Sequence, residues 1–403
     1  MKILINGYHY GGNTPPFVKK IKELGHDVKL ICPTIPGKNE LFKRHALSED
    51  IDEKDLLIPS YSYIEKKLLL IFRVLNKLNL HKPAIKYFTS KVKKEIESFK
   101  PDIIWNHAFT LETNIMLNTG FRPQVSLPFG SEILGPKAGD SFHLHQEIIH
   151  KSNIILCQHP VFAQYIITNL KAPEDKVLIA SPFGLPNLDK LLANNKNKSD
   201  LRKKYHVAED KVVLIDTRGL RRIDGGSLTA LKALDKIDID NLFLILTKGF
   251  LGADDVIKMA KEFISKHKLE NKVLIIEDEV SYEDLIDLYK MSDVFLSLLP
   301  TDVLGLSISE AISQECQLVL TSLESYKISL GDNAEYVRHE NVGDLVNAIH
   351  RTIHLSNEAK KQRIERNKKW LLENVCFEKN CDKTLNLFDQ IIKKNRTAEK
   401  LCH

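Results

Sequence analysis

The residue types best suited to chemistry in this sequence occur within residues 300–311. A predicted strand ends where this segment begins, and a predicted helix starts near Ser307, after a loop that contains Asp302 and Gly305. A helix N-terminus offers unpaired backbone N–H groups and partial positive charge, so the loop can cradle a phosphate. Glu310, about one turn into the helix, can accept two hydrogen bonds from a sugar diol. The spacing equally fits a turn aspartate and a helix carboxylate stabilised by the helix dipole.

A second segment, residues 215–226, places Arg218, Arg221 and Arg222 among three glycines between a predicted strand and a predicted helix. The planar guanidinium, with its fork of N–H donors, is well suited to a diphosphate. A solvated basic loop is the alternative interpretation.

Three further loops follow predicted strands. Gly12 and Asn13 lie in a glycine-containing loop where the backbone can approach a ligand, although a plain turn fits equally well. His107 ends the strand that begins at Pro101, where it can bind substrate, act as a base or be a structural histidine. Glu132 closes the loop 128–132, which a bare turn would also explain.

The elements that position these loops alternate between strand and helix. Five apolar runs, near residues 2–6, 28–32, 101–105, 124–127 and 154–157, are predicted strands, and Gly25 is predicted to end the first helix. Five more runs follow residue 211, separated by segments with helical spacing. This pattern predicts an α/β fold with two doubly wound parallel sheets.

The polar, Asn- and Lys-rich stretch between the two series indicates a linker. We therefore expect an N-terminal domain at 1–188, a linker at 189–205, a C-terminal domain at 206–369 and terminal helices at 370–395. Ligands of such sheets bind at the carboxyl ends of the strands, so we expect a cleft between the domains.

Composition limits the function classes. The 403 residues carry 58 Lys plus Arg and 53 Asp plus Glu, a net charge of +5 that is too small to indicate nucleic acid, and no basic motif interleaved with aromatics occurs. The six cysteines form no zinc pattern and indicate reduced thiols, hence the cytoplasm. We expect neither a signal peptide nor a membrane span.

The basic excess is concentrated in residues 65–100, which hold ten Lys or Arg and three acidic residues, a net +7. A basic amphipathic helix can lie on an anionic membrane surface and so reach a lipid-linked acceptor. A crossover helix with a solvated face is the alternative.

Several segments together carry a family resemblance, which covers roughly residues 1–395. With the arginine loop and the loop around Asp302, and in their order along the chain, they resemble the retaining nucleotide-sugar glycosyltransferases of the GT-B fold, in the large bacterial family that includes mannosyl-, glucosyl- and N-acetylglucosaminyltransferases. The segments are ELGHDVKLICP, PDIIWNHA, PFGSEI, SPFGLPN and SYEDLIDLYKMSDVFLSLLP.

The resemblance implies roles for the candidate residues. Asp302 falls on the first of the family's paired glutamates and would contact donor-sugar hydroxyls, whereas Glu310 falls on the second and would bind the ribose. The arginine loop would neutralise the departing diphosphate, and His107 matches the second histidine of a "His-Ala-His" strand end. The backbone amides that would hold the phosphates belong to Leu304, Gly305 and Leu306. Gly12 is assigned to the donor, and Asn13 and Glu132 to the acceptor.

The sequence also departs from the family pattern. Asp302 is one methylene shorter than glutamate, Asp224 occupies the place of the family's lysine, and Phe129 replaces a histidine. Cys316 and Leu318 replace the usual Gly and Pro. Arg218, Arg221 and Arg222 are each able to supply the missing charge.

The implied activity is metal-independent, retaining transfer of a sugar from UDP- or GDP-sugar to a hydroxyl of a glycan, glycolipid or other acceptor, in polysaccharide or glycoconjugate synthesis. No cofactor is expected beyond the nucleotide-sugar substrate. The altered motifs motivate an alternative, a non-catalytic GT-B subunit that supports a partner transferase. A sugar-nucleotide epimerase of the same fold is a weaker option.

Overall fold

The structure is a computed structural model, and it describes residues 1–7, 14–33, 51, 53–57, 82–134, 141–221, 225–248, 254–278 and 280–401. The chain divides into two compact units. Unit 1 comprises Met1–Gly184 and Phe377–His403, and unit 2 comprises Leu185–Cys376.

Unit 1 contains a parallel sheet of seven strands in the order β3-β2-β1-β4-β5-β6-β7. The order reverses direction between β1 and β4, which are hydrogen-bonded neighbours with Gly7 in register with His107. The strands are β1 (Lys2–Gly7), β2 (Asp27–Ile31), β3 (Leu56–Leu57), β4 (Ile103–His107), β5 (Gln124–Leu127), β6 (Ile154–Cys157) and β7 (Val177–Ile179).

Helices cover both faces of this sheet, because apolar side chains point to both sides of buried parallel strands. Gly25, after the first helix, has φ of +79°, which confirms the predicted C-cap glycine. The helices are Thr14–Glu23, Lys82–Phe99, Leu111–Leu117, Ser131–Leu134, Phe142–Lys151, Pro160–Thr168 and Phe377–Leu401, with 3₁₀ turns at Glu53–Asp55 and Glu174–Lys176.

The last helix joins the core of unit 1 although it follows unit 2 in sequence. Phe377 and Phe388 are buried in the same cluster as Phe17 and Trp105. The rings of Trp105 and Phe388 meet edge to face, with centroids 5.4 Å apart. The carboxy-terminal segment therefore supplies one wall of the first hydrophobic core.

Unit 2 contains a parallel sheet of six strands in the order β10-β9-β8-β11-β12-β13. Its order reverses between β8 and β11, which pair directly through Leu214 and Val294. The strands are β8 (Val212–Asp216), β9 (Leu242–Thr247), β10 (Val273–Ile276), β11 (Val294–Ser297), β12 (Gln317–Thr321) and β13 (Glu335–Val337). The sheet topologies confirm the predicted α/β fold of two doubly wound sheets.

The helices of unit 2 pack on both faces of this sheet. Residues 189–205, interpreted from composition as a linker, lie within unit 2 and contribute two of its helices. The helices are Leu188–Leu192, Lys198–Lys204, Ser227–Lys236, Asp254–His267, Tyr282–Met291, Leu306–Ser313, Glu324–Leu330, Val342–Ile353 and Asn357–Asn374, with 3₁₀ turns at Gly219–Arg221 and Gly331–Asn333.

The basic stretch is described only from Lys82 onward; residues 65–81 lie outside the described residues. In helix Lys82–Phe99, Phe88, Val92 and Ile96 are buried in a cluster with Leu4 and Ile104 of the sheet. The apolar face of this part of the stretch is thus already covered by the sheet. Among the described helices, none is both long and apolar enough to span a membrane.

Candidate functional site

The topology of unit 2 determines where a ligand would bind. In an open parallel sheet, a crevice forms beyond the carboxyl ends of the strands where the strand order reverses. In unit 2 that point lies between β8, which ends at Asp216, and β11, which ends at Ser297. The segments that follow these two strands carry Arg218 and Asp302.

Asp216 organises the backbone at the end of β8. Its Oδ1 accepts hydrogen bonds from the backbone N–H groups of Arg218 at 3.0 Å and Gly219 at 2.8 Å. Burial raises the pKa of Asp216 to about 6, and these two N–H donors oppose that rise. A Cβ on Gly219 would lie 2.1 Å from Asp216 Oδ2 and from Ser227 Oγ, so any other residue there would force these side chains to move. The buried carboxylate of Asp216 therefore holds the backbone turn that carries Arg218 in place.

Arg218 and Asp302, both predicted site residues, form an ion pair. Arg218 Nη1 donates to Asp302 Oδ2 at 2.6 Å, and the two side chains are 22% and 13% exposed. Burial opposes the charge of Arg218, but Asp302 outweighs it, so the pKa of Arg218 is raised above its ordinary value. The guanidinium has five N–H donors. Among the described residues, Asp302 is the acceptor that engages this side chain.

Tyr326 is a second partner of Asp302. Its hydroxyl donates to Asp302 Oδ2 at 2.8 Å, and its ring is fully buried. The backbone N–H of Val303 donates to Asp302 Oδ1 at 2.9 Å, so both carboxylate oxygens are held. Burial, and then the charge of Asp302, raise the pKa of Tyr326 well above its usual range, which keeps the phenol protonated as a donor.

Glu310 belongs to a parallel network that starts one residue before Arg218. Thr217 Oγ1 and Tyr289 Oη are 2.9 Å apart, and the Tyr289 hydroxyl donates to Glu310 Oε2 at 3.5 Å. Glu310 is 8% exposed and Tyr289 is fully buried. Two consecutive residues after β8 are therefore connected to the two predicted carboxylates. Thr217 is connected to Glu310 through Tyr289, and Arg218 contacts Asp302 directly.

The loop between β11 and helix Leu306–Ser313 contains the residues predicted to cradle a phosphate. Gly305 is the N-cap residue, and no side chain caps this helix end. The buried hydroxyl of Ser307, in the first turn, has no hydrogen-bond partner among the described residues. A Cβ on Gly305 would lie 2.2 Å from Arg218 Nη1, so the missing side chain makes room for the guanidinium. That the backbone amides of Leu304, Gly305 and Leu306 hold the phosphates stays a prediction.

In unit 1, His107 lies at the corresponding reversal point, at the end of β4 beside β1. It is fully buried, and its Nδ1 is 3.2 Å from Thr14 Oγ1. Its ring meets Trp105, Phe129 and Phe183 edge to face. Burial lowers the pKa of His107 to about 3, so the imidazole is neutral near pH 7. Its Nε2 has no partner among the described residues.

Glu132 connects two loops of unit 1. Its Oε1 accepts hydrogen bonds from the backbone N–H groups of Phe109 at 3.2 Å and Phe129 at 2.8 Å. This carboxylate therefore orders the segments that follow β4 and β5. Its assignment to an acceptor stays a prediction.

Three candidate residues, Gly12, Asn13 and Arg222, lie outside the described residues. Arg221 ends the 3₁₀ turn Gly219–Arg221, and only its backbone is described. Within the described part of the chain, no group of three or more His, Cys, Asp or Glu side chains is arranged to hold a metal ion.

Sequence reasoning missed Asp216, Tyr289 and Tyr326. Asp216 ends a predicted strand, a position where a polar residue is common, and Tyr289 lies within a recognised motif without a distinctive spacing. Tyr326 is 24 residues from Asp302 in the chain and no local pattern connects them.

Comparison with known proteins gives one family match by sequence, over part of the chain. The family described as "Glycosyl transferases group 1" matches residues 197–370. The search of curated proteins found no match by sequence.

Solved structures match over nearly the whole chain. A glycosyltransferase from Rickettsia africae is 18% identical, with 97% of this chain and 98% of that chain covered and a TM-score of 0.73. HepE from Anabaena, solved with UDP, is 13% identical with coverages of 96% and 99% and a TM-score of 0.74. Sucrose-phosphate synthase from Thermosynechococcus elongatus is 13% identical with coverages of 98% and 100% and a TM-score of 0.75.

These findings confirm the resemblance noted in the sequence. The chain has the GT-B fold of these solved structures. Residues 197–370, within its second unit, match the family described as "Glycosyl transferases group 1".

Proposed function

We propose that this protein transfers a sugar from UDP- or GDP-sugar to a hydroxyl of a glycan, glycolipid or other acceptor, with retention at the anomeric carbon and without a metal ion. Retention and independence of metal follow from the family resemblance. We place the reaction in the cytoplasm, in polysaccharide or glycoconjugate synthesis, with contact to a membrane surface where the acceptor is lipid-linked.

One observation carries the proposal: Arg218 and Asp302 meet at the reversal point of the sheet in unit 2, beside an uncapped helix N-terminus. The resemblance gives Arg218 to the diphosphate and Asp302 to the donor sugar, and these two groups are covalently joined in a nucleotide-sugar. Arg218 and Asp302, 2.6 Å apart, are therefore close enough to bind the diphosphate and the adjoining sugar of one donor molecule. HepE, which shares the fold, was solved with UDP, and this supports a uridine nucleotide as the first to test.

The proposed chemistry is positional and electrostatic. The bond between the anomeric carbon and the diphosphate oxygen breaks, and the acceptor hydroxyl oxygen forms the new bond from the same face. The acceptor proton passes to the departing diphosphate. Arg218 and the amides of Leu304, Gly305 and Leu306 stabilise the charge that develops on that diphosphate. Glu310, held by Tyr289, accepts hydrogen bonds from the ribose.

The test is a titration of the full chain with UDP, GDP, UDP-glucose and GDP-mannose by calorimetry, followed by transfer or hydrolysis assays with radiolabelled nucleotide-sugars. We expect one nucleotide series to bind, and binding to weaken at least about tenfold in Arg218→Gln, since one charged contact to a phosphate contributes on the order of 1.4 kcal/mol or more. Arg338→Gln, at an exposed arginine paired with Asp344, is the matched control. Absence of binding across the panel would contradict a donor site.

A second function, a non-catalytic GT-B subunit that supports a partner transferase, is favoured by the same ion pair. Asp302 already neutralises Arg218, so the diphosphate would have to compete with a carboxylate for this arginine. A subunit of this kind would bind no nucleotide and would raise the activity of its partner. The binding titration therefore separates the two functions before any acceptor is known.

A further inference from the structure

Unit 2 contains a cavity of about 590 Å³ at the amino ends of its strands, opposite the site described above. Val212, Val294 and Gln317, which begin β8, β11 and β12, line it. The candidate donor site lies beyond the other ends of β8 and β11. A five-residue strand is about 15 Å long, so the length of β8 and β11 separates the cavity from the candidate donor site.

The lining of this cavity is strongly basic. Five cations line it, against the two carboxylates Asp293 and Glu315. Both carboxylates are already paired, Asp293 with two of the cations and Glu315 with Lys368, which is not a lining residue. The lining therefore carries an excess of positive charge that its own carboxylates do not balance. The cations are Lys198, Arg202, Lys211, Lys290 and Lys360.

Lys290 is distinct among these cations, because among the described residues it makes no hydrogen bond and no close ion pair, and only the longer-range effect of its charge reaches Glu315. Arg202 donates to Asp293 and to two backbone carbonyls, and Lys198 donates to Asp293 and Ser292. Lys360 donates to the carbonyl of Ile353. The ammonium of Lys290 is thus available to an anion that enters the cavity.

Gln317 provides an independent observation. It is 6% exposed, its Nε2 donates to the carbonyl of Lys360 at 3.4 Å, and its buried Oε1 has no partner among the described residues. A buried acceptor without a donor is unfavourable, and because Gln317 lines the cavity, a ligand hydroxyl or amine bound there would supply the donor.

We propose that this cavity binds a phosphate monoester of a small hydroxylated molecule. The phosphate dianion would be held by Lys290 and the surrounding excess charge, and a hydroxyl of the ligand would donate to Gln317 Oε1. A free carboxylate ligand would supply only half of that charge. The cavity has the volume of a small-molecule site, which is typically about 300–1,000 Å³. The proposal does not depend on the transferase function.

The experiment is calorimetric titration of the full chain with sn-glycerol 3-phosphate, inorganic phosphate and glycerol at constant chloride and ionic strength. We expect saturable binding of sn-glycerol 3-phosphate, weaker binding of inorganic phosphate and none of glycerol. Lys290→Gln should weaken the phosphates about tenfold, and Gln317→Met should weaken only sn-glycerol 3-phosphate, about threefold. Lys258→Gln, an exposed lysine on helix Asp254–His267, should change nothing.

Two results would overturn the proposal. One is the absence of saturable binding by both phosphates to the folded chain. The other is loss of binding in Arg218→Ala with no effect of Lys290→Gln, which would place the phosphate at the candidate donor site instead. Unfolding midpoints of each variant, measured beside the titrations, show that a loss of binding is not a loss of fold.

Discussion

Arg218 Nη1 lies 2.6 Å from Asp302 Oδ2, and this contact joins two segments that are 84 residues apart in sequence. The pair lies at the point where the strand order of unit 2 reverses, where the topology of an open parallel sheet places a ligand-binding crevice. Because both side chains are mostly buried, each charge depends on the other for compensation.

This dependence predicts that Arg218→Gln and Asp302→Asn are coupled. Each single change leaves one mostly buried charge without its partner, which should lower the free energy of unfolding by about 3 kcal/mol. The double variant should cost markedly less than the sum, because no lone charge remains. Urea denaturation of the four proteins of this cycle measures the coupling.

The exposed pair Arg338–Asp344 provides the control cycle. Arg338 is 74% exposed, and the same substitutions at this pair should couple by less than about 1 kcal/mol. Additive costs at Arg218 and Asp302 would show that the two charges do not rely on each other.

We expect a substitution at Gly305 to weaken nucleotide binding with little loss of folding stability. Its φ of −72° suits any residue, but a Cβ would lie 2.2 Å from Arg218 Nη1, at the far end of a flexible side chain. Gly305→Ala should therefore shift the guanidinium, whose flexible side chain lets it keep its pairing with Asp302, so that nucleotide binding weakens and the free energy of unfolding falls by no more than about 1 kcal/mol.

Gly226→Ala is the matched comparison. Its φ is +97°, and a Cβ would lie 2.3 Å from Leu298 Cβ and 3.0 Å from the Leu298 carbonyl, which cannot swing away. This variant should lose about 2 kcal/mol or more of stability. Equal losses of stability in the two alanine variants, measured by urea denaturation, would contradict the distinction.

Local sequence signals were sufficient for the long buried strands and insufficient for the short ones. β8 and β11 appear in the sequence as continuous apolar runs because both faces of a parallel sheet are covered. β3, with two residues, and β7, with three, are too short for a periodic pattern, and Ile179 in β7 is 56% exposed. β13, at the edge of the second sheet, was missed for the same reason.

In the candidate site, too, some features follow from the local sequence and others depend on contacts between distant residues. The position of Asp302 between a strand and a helix is a local signal, and so is the cluster of arginines after β8. The partners that hold Asp302 are not local, since Tyr326 reaches it from the segment after β12. The choice among Arg218, Arg221 and Arg222 for the charge of the missing family lysine stays open, and among the described side chains Arg218 is the one that contacts Asp302.

The last helix packs in the core of unit 1, so we expect a substitution in this helix to destabilise unit 1 although the helix is remote from it in sequence. Phe388 is fully buried against Trp105, and Phe388→Ala should destabilise unit 1 by about 3–5 kcal/mol. Trp105 and Trp370 are the two tryptophans of the chain and lie in different units. In a Trp370→Phe background, the fluorescence of Trp105 therefore reports unit 1 alone.

Phe142→Ala, at a ring that is 39% exposed in the same unit, is the control and should change the midpoint little. An unchanged Trp105 transition in Phe388→Ala would mean that the last helix is not part of the first core.

Asp216 predicts a pH dependence of stability with a definite sign. Burial raises its pKa from 3.8 to about 6 in the folded chain, so between these values the folded state binds more protons than the unfolded state. By linkage, the free energy of unfolding that depends on Asp216 falls as pH rises from about 4 to 6, by on the order of 3 kcal/mol. Asp216→Asn removes the charge while its Oδ1 still accepts from the N–H groups of Arg218 and Gly219.

The difference in unfolding free energy between Asp216→Asn and the parent should therefore move in favour of the variant as pH rises from 4 to 6, and then level off. Urea denaturation at half-unit steps of pH measures it. Asp254 is the control, because Lys248 lowers its pKa and the difference for Asp254→Asn should move in favour of the parent as pH rises. A flat difference curve for Asp216→Asn would show that this carboxyl is not destabilised by burial, and the turn that carries Arg218 would then need another explanation.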